Sequence, residues 1–180
     1  MNRKKKIVII GGGLAGLALA MKFCERNGEV TVVSYQSLKR SHSVCAQGGI
    51  NAAIDAKNEG DSPEKHFYDT IKGGDFLAHQ PLVRDMCYQA PAIIHLMDRM
   101  GVAFNRTGEG HLDFRRFGGT LYNRTAVAGD TTEQQLIYAL DEQVRRNNKD
   151  GNATSLGLSL IIISELTRLR KNTSSNICCE

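Results

Sequence analysis

No Cys-x-x-Cys pair and no regular spacing occurs among the five cysteines, Cys24, Cys45, Cys87, Cys178 and Cys179. That pattern argues against a zinc or iron-sulfur site in this chain and for a reducing compartment. No uninterrupted apolar run approaches the ~18 residues that a transmembrane helix needs. The basic clusters, Arg3 to Lys6 and Arg168, Arg170 and Lys171, contain no interleaved aromatics, so nucleic acid is not an expected partner. Internal repeats and low-complexity linkers are also missing. What remains is ordinary for a globular protein: 180 residues, 41% apolar, 23% charged, with a formal net charge of +4. Such a chain is long enough for one domain with a real core.

The first residues admit two readings. A basic run followed by Ile7 to Ala20, ending Ala-Leu-Ala, has the layout of a secretory signal peptide. Gly11, Gly12, Gly13 and Gly16 interrupt the apolar run, however, and they stand where a nucleotide-binding turn needs them. Ile7 to Ile10 is short, apolar and β-branched, which predicts a parallel strand buried on both faces. Leu14, Leu17, Ala18 and Met21 then recur at helical spacing up to the stop signal Asn27-Gly28. Val30 to Val33 predicts a second strand. Strand, turn, helix, strand is a βαβ unit, which closes right-handed with a parallel sheet.

A second helical stretch runs from Val83 to Gly101 with a stripe of Met86, Ala90, Ile93, Ile94, Met97 and Met100, and Pro91 should kink or divide it. A third, from about Glu133 to Arg146, is opened by Thr132 with Gln135 three residues on as a capping box, and is striped by Leu136, Leu140 and Val144. Ser37 to Asp61 and Asn105 to Gly129 should be loops or short strands. Leu156 to Ile163 is an interrupted apolar run that cannot be assigned to the fold.

Gly11-x-Gly13-x-x-Gly16 follows a strand and opens a helix, the context that gives this pattern weight. Gly11 permits the tight turn, Gly13 lets backbone approach a pyrophosphate, and Gly16 lets helix and strand pack closely. The following N–H groups, from Leu14 and Ala15 onward, offer donors and positive dipole to phosphate. The acidic ribose partner usual at the end of the second strand is absent, and Ser34 stands there with a hydroxyl instead. This motif alone does not separate FAD from NAD.

The stretch Arg40-Ser41-His42-Ser43-Val44-Cys45-Ala46-Gln47-Gly48-Gly49 is far more specific. It resembles the flavin-attachment segment of the succinate dehydrogenase and fumarate reductase flavoproteins. The resemblance continues through Gly73 to Ala78, Asp98 to Val102, Asp113 to Thr120 and Leu136 to Arg146, covering Lys6 to about Asn147, and is strongest toward the branch paired with a menaquinone-type respiratory chain. It implies FAD bound covalently through a ring nitrogen of His42, which raises the flavin potential, as a weak reductant such as succinate requires. It places Gln47, Gly48 and Gly49 at the cofactor, with Gln47 and Phe117 facing isoalloxazine and dicarboxylate; a core aromatic is the alternative for Phe117. L-aspartate oxidase, the nearest rival, shares Ala-Gln-Gly-Gly but lacks the attachment histidine.

The resemblance further implies succinate oxidation to fumarate, with electrons passing to quinone through an iron-sulfur subunit and a membrane anchor subunit. A cytoplasmic chain, peripheral on the inner face of the membrane, is the corresponding location. The expected fold is a three-layer, Rossmann-like α/β FAD-binding domain, incomplete, with residues 1–147 forming the first part of that domain and 148–180 an unassigned tail. Family members run several times longer, so the chain reads as a truncated piece with no catalytic base and no metal ligands of its own. A short paralogue or inactive FAD-binding fragment is the alternative. One departure matters. The family has small residues where this chain has Asp130 and Glu133, and carboxylates there would crowd or repel an anionic pyrophosphate.

Overall fold

The computed structural model describes residues 5–149, 151 and 153–157. These fall into two compact units: residues up to Ser43 together with those from Leu140 onward, and Val44–Ala139.

The first unit is built on β1 (Lys6–Ile10), α1 (Leu14–Cys24) and β2 (Glu29–Ser34). The β-branched runs pair in parallel, with Ile7 opposite Val30 and Ile9 opposite Val32. Leu17, Ala20, Met21 and Cys24, at helical spacing on α1, are buried with Ile9, Val30 and Val32. Each such large side chain removed from water contributes on the order of 1.5–3 kcal/mol. The βαβ expectation is met. The expectation of burial on both faces is not: Val8 is 66% and Ile10 88% exposed. Alternation along the strand sends these two away from α1, and among the described residues no layer covers that face. The described part of this unit is therefore two-layered, short of three.

Leu156 and Gly157, the first residues of the run that sequence pattern does not assign, close a third strand, and the rest of that run, 158–163, lies outside the described residues. β6 (Ala153–Gly157) lies parallel to β2 on the side away from β1, with Val30 opposite Ala153 and Ser34 opposite Gly157, giving sheet order β1-β2-β6.

In the second unit, α2 (Pro63–Gly73) packs on α3 (Gln80–Arg99), beside a small antiparallel sheet of β3 (Ile50–Asn51), β4 (Phe114–Arg115) and β5 (Thr125–Ala126), ordered β3-β5-β4. Ser62 caps α2, its Oγ accepting the Lys65 N–H at 3.2 Å, and Pro63 takes a first-turn position that lacks an N–H partner anyway. α3 runs through Pro91 undivided. Its buried stripe is Cys87, Ala90, Ile94 and Met97, whereas Met86 and Ile93 are exposed. Packing of that stripe outweighs the one intrahelical hydrogen bond that proline removes.

The remaining helix, α4 (Thr132–Lys149), begins in this unit and ends in the other. Gln135 pairs with Thr131, not with Thr132 as the capping-box pattern predicts: its N–H donates to the Thr131 carbonyl at 2.9 Å and its Nε2 to Thr131 Oγ1 at 3.1 Å. Thr132 Oγ1 is occupied with the Ala128 N–H at 2.8 Å. Leu136, Leu140 and Val144 are buried as the stripe predicts, and Ile137, outside that stripe, is buried too.

Candidate functional site

In the first unit the glycine turn sits between the end of β1 and the start of α1. Gly11 has φ +116°, which disfavours any side chain, and its N–H donates to the Val33 carbonyl at 2.8 Å, tying the turn to β2. A Cβ on Gly16 would lie 2.0 Å from the Gly11 carbonyl oxygen, so only glycine lets the helix approach its own entry turn this closely. Gly13 is the N-cap of α1 and has no side chain to satisfy the helix donors. Its carbonyl accepts from Leu17 at 3.0 Å, and the Leu14 N–H reaches Ser43 Oγ only at 3.5 Å. Leu14 and Ala15 thus begin a helix whose end is electropositive and has no cap from its own N-cap residue.

Ser34 closes the end of β2 and is buried, its Oγ 3.0 Å from where a Gly12 Cβ would stand. Arg40 ends a one-turn 3-10 helix, Leu38–Arg40, and His42 opens another, His42–Cys45. Both side chains are exposed. Ser43 lies against the turn, 3.0 Å from an imagined Gly13 Cβ, so the segment bearing His42 is held beside the glycines. Ser41 Oγ is shielded from solvent and has no hydrogen-bond partner among the described residues. A glycine turn closed by backbone approach at Gly16, helix donors met by no more than one long contact, and an orphaned hydroxyl fit a phosphate-bearing nucleotide.

The second unit holds Gln47, Gly48, Gly49 and Phe117. Phe117 is 48% exposed, so it is not a core aromatic. Its Cε1 would stand 3.3 Å from a Cβ on Gly48, and the Arg115 guanidinium lies 5.3 Å from its ring centre. Gln47 is exposed beside them. Asp130 is exposed as well, whereas Glu133 is buried and its Oε1 accepts the Gly49 N–H at 3.0 Å. The sequence marks Glu133 as unusual but does not reveal this contact across 84 positions.

Two further features carry no clear sign in the sequence. Arg124, 1% exposed, is held by Asp61 and by Asp69, beside the buried ring of His66. Burial, and then the Arg124 charge, push the His66 imidazole below its usual range, against the opposing pull of Asp61 and Asp69. A cavity of about 470 Å³ adjoins it, lined by Ile50, Asn51, His66, Thr70, Met86 and Ile93 among others, which accounts for the accessible Met86 and Ile93 side chains. An arginine in a polar loop gives no warning that it will be buried with an aspartate 63 residues away.

The FAD binding domain family matches this chain over residues 6–168. The succinate dehydrogenase flavoprotein subunit of Bacillus subtilis is 62% identical over 151 residues, covering 84% of this chain and 26% of that protein. A fumarate reductase (CoM/CoB) polypeptide of Methanothermobacter marburgensis is 38% identical over 143 residues, with 79% and 26% covered. Among solved structures, the Mycobacterium smegmatis Sdh1 complex in the apo form superposes with a TM-score of 0.80 at 30% identity, over 86% of this chain and 28% of that one. The chain thus spans about a quarter of the length of the relatives it matches.

Proposed function

Because the chain belongs to the FAD binding domain family and, within it, to the succinate dehydrogenase and fumarate reductase flavoproteins, we propose that it is the nucleotide-holding part of a flavoprotein that interconverts succinate and fumarate. The observation that carries this reading is the turn from Gly11 to Gly16, closed by backbone approach at the uncapped N-terminus of α1 directly after a parallel strand.

In this reading Gly11, Gly13 and Gly16 clear space for the pyrophosphate, and the N–H groups from Leu14 and Ala15 onward face it. Ser34 hydrogen-bonds the ribose in place of the usual carboxylate. Arg40, Ser41 and Ser43 position His42, whose ring nitrogen is the attachment point. Gln47, Gly48 and Gly49 line the isoalloxazine end, and Gln47 and Phe117 form the dicarboxylate side. Bound FAD supplies the hydride acceptor; the protein supplies placement and electrostatics. No residue of this chain is assigned as the base that takes the second proton. An iron-sulfur subunit and a membrane anchor subunit would receive the electrons at the inner face of the membrane, and no helix among the described residues is itself long and apolar enough to cross one.

A second reading, a flavin-binding chain without dehydrogenase activity, is favoured by the Glu133 carboxylate seated on the Gly49 N–H. Two measurements on the purified chain separate the possibilities. Equilibrium dialysis against FAD should leave visible flavin absorbance with the protein, and replacing Gly13 by glutamate, which puts a carboxylate among the helix donors, should abolish it. Succinate-dependent reduction of a dye acceptor then distinguishes enzyme from binder. A protein that stays colourless at saturating FAD would overturn both.

A further inference from the structure

Glu133 stands in the first turn of α4, yet it does not serve its own helix. Its Oε1 takes the N–H of Gly49 at 3.0 Å, and its Oε2 is shielded from solvent with no partner among the described residues. The residue is 8% exposed. Gly49 cannot turn its N–H elsewhere at little cost. Its φ is +87°, and a Cβ there would come within 2.6 Å of both the Ala126 carbonyl oxygen and Val127 Cγ1, so β5 and the residue after it fix the backbone on one side. One N–H proton is thus committed to a carboxylate that has no other side-chain partner among the described residues.

We propose that Glu133 is an internal substitute ligand at the flavin-ring end of the site, claiming the Gly49 N–H and thereby setting which nucleotides the chain accepts. The assignment rests on the proposed function, in which Gln47, Gly48 and Gly49 belong to the isoalloxazine end. A ring carbonyl or ring nitrogen seeking that N–H must displace a charge-assisted hydrogen bond and leave both carboxylate oxygens buried without partners, beside an electron-rich edge. A nucleotide with no ring at that end meets no such obstacle. The chain therefore discriminates against FAD relative to ADP, which needs only the glycine turn, and removing the carboxylate abolishes the discrimination.

The experiment measures FAD and ADP binding, by flavin fluorescence and calorimetry, for the unaltered chain and for E133A, E133G and E133Q, with G13E as the control for the turn. E133A and E133G should bind FAD roughly tenfold to a hundredfold more tightly, as expected when a competing charge-assisted hydrogen bond is removed, while ADP affinity changes by less than about twofold. E133Q keeps an acceptor for the Gly49 N–H but not the charge, and should gain less than E133A. Hydrogen exchange of the Gly49 amide, protected in the unaltered chain, should accelerate in E133A even without nucleotide. Unchanged FAD affinity in a folded E133A that still binds ADP, with G13E binding neither, would overturn the proposal and leave the flavin reading intact. Binding of neither nucleotide by any of the proteins would overturn the flavin reading and the proposal with it.

Discussion

Arg124 and Asp61 meet in a two-pronged pair, Nη2 to Oδ1 at 2.7 Å and Nε to Oδ2 at 3.0 Å, with side chains only 1% and 2% exposed. Asp69 adds a second carboxylate at 3.0 Å from Nη2. The planar guanidinium matches this fork geometry, and an ammonium does not. The pair joins the loop before α2 to the residue that leads into β5, so it fixes the sheet strand by its neighbour. Breaking one member strands the other charge away from water. Replacing Arg124 by methionine should cost ~3–5 kcal/mol, and lysine should recover little of it. Urea unfolding of both variants checks this; a midpoint unmoved by R124M would show that the pair does not hold the unit.

His66 gives the same neighbourhood a pH signature. Burial is the main cause of its lowered affinity for protons, followed by the Arg124 charge, while Asp61 and Asp69 oppose both. The folded protein therefore binds fewer protons at this ring than the unfolded chain does, just below the ordinary value of 6.5. Stability from His66 is complete above that value and is lost as pH falls below it toward the folded pKa. Replacing His66 by glutamine should flatten the dependence of the unfolding midpoint on pH in this window. A midpoint that depends on pH equally steeply in both proteins would refute the assignment to His66.

Local pattern makes part of this structure legible. Ile7 to Ile10, the glycines and the stripe of α1 all lie within one short βαβ stretch, where strand period, turn chemistry and helix period agree. Three things are not legible, each for a physical reason. The exposure of Val8 and Ile10 depends on which layers cover the sheet, and a run of apolar residues does not say how many faces are covered. β6 is five residues long with two hydroxyl side chains, and its strand character comes from pairing with β2. α2 is hard to see although Ser62 followed by Pro63 is a start signal, because its apolar face is thin: only His66 and Ile71 are buried. At the candidate site the motif residues stand out in the sequence, whereas the Glu133–Gly49 contact and the Arg124 cluster arise from long-range packing.

The two glycines of the turn should respond differently to alanine. A Cβ on Gly16 meets backbone at 2.0 Å, and backbone cannot step aside without parting α1 from β1. A Cβ on Gly13 meets only the Ser43 hydroxyl at 3.0 Å, which can rotate. G16A should therefore lose ~1–3 kcal/mol of stability, the range for overpacking, and FAD binding with it. G13A should stay folded and bind FAD more weakly, since the added methyl occupies the approach to the phosphates. Thermal unfolding and dialysis against FAD test both; equal stability of the two variants would mean that the close contact at Gly16 is not rigid.

The last prediction concerns His42. Its segment is well placed, since Ser43 sits against Gly13 and the Leu14 N–H. The ring itself is exposed on a single 3-10 turn. Bond formation to the flavin requires the histidine nitrogen and the methyl carbon to be held at reacting distance, and such orientation is worth ~7–11 kcal/mol of barrier. An exposed imidazole on one turn of helix does not provide it. The Glu133 carboxylate at Gly49, as the proposed substitute ligand, further opposes seating of the ring. The 180-residue chain incubated with FAD should hence give a dark band on a denaturing gel viewed for flavin fluorescence, even where native protein is yellow. A chain carrying E133G and extended to the length of its relatives should give a bright band, and changing His42 to serine in that chain should extinguish it. A bright band from the unaltered 180 residues would show that this segment positions the ring unaided, whereas fluorescence that survives the serine substitution would move the attachment to another residue.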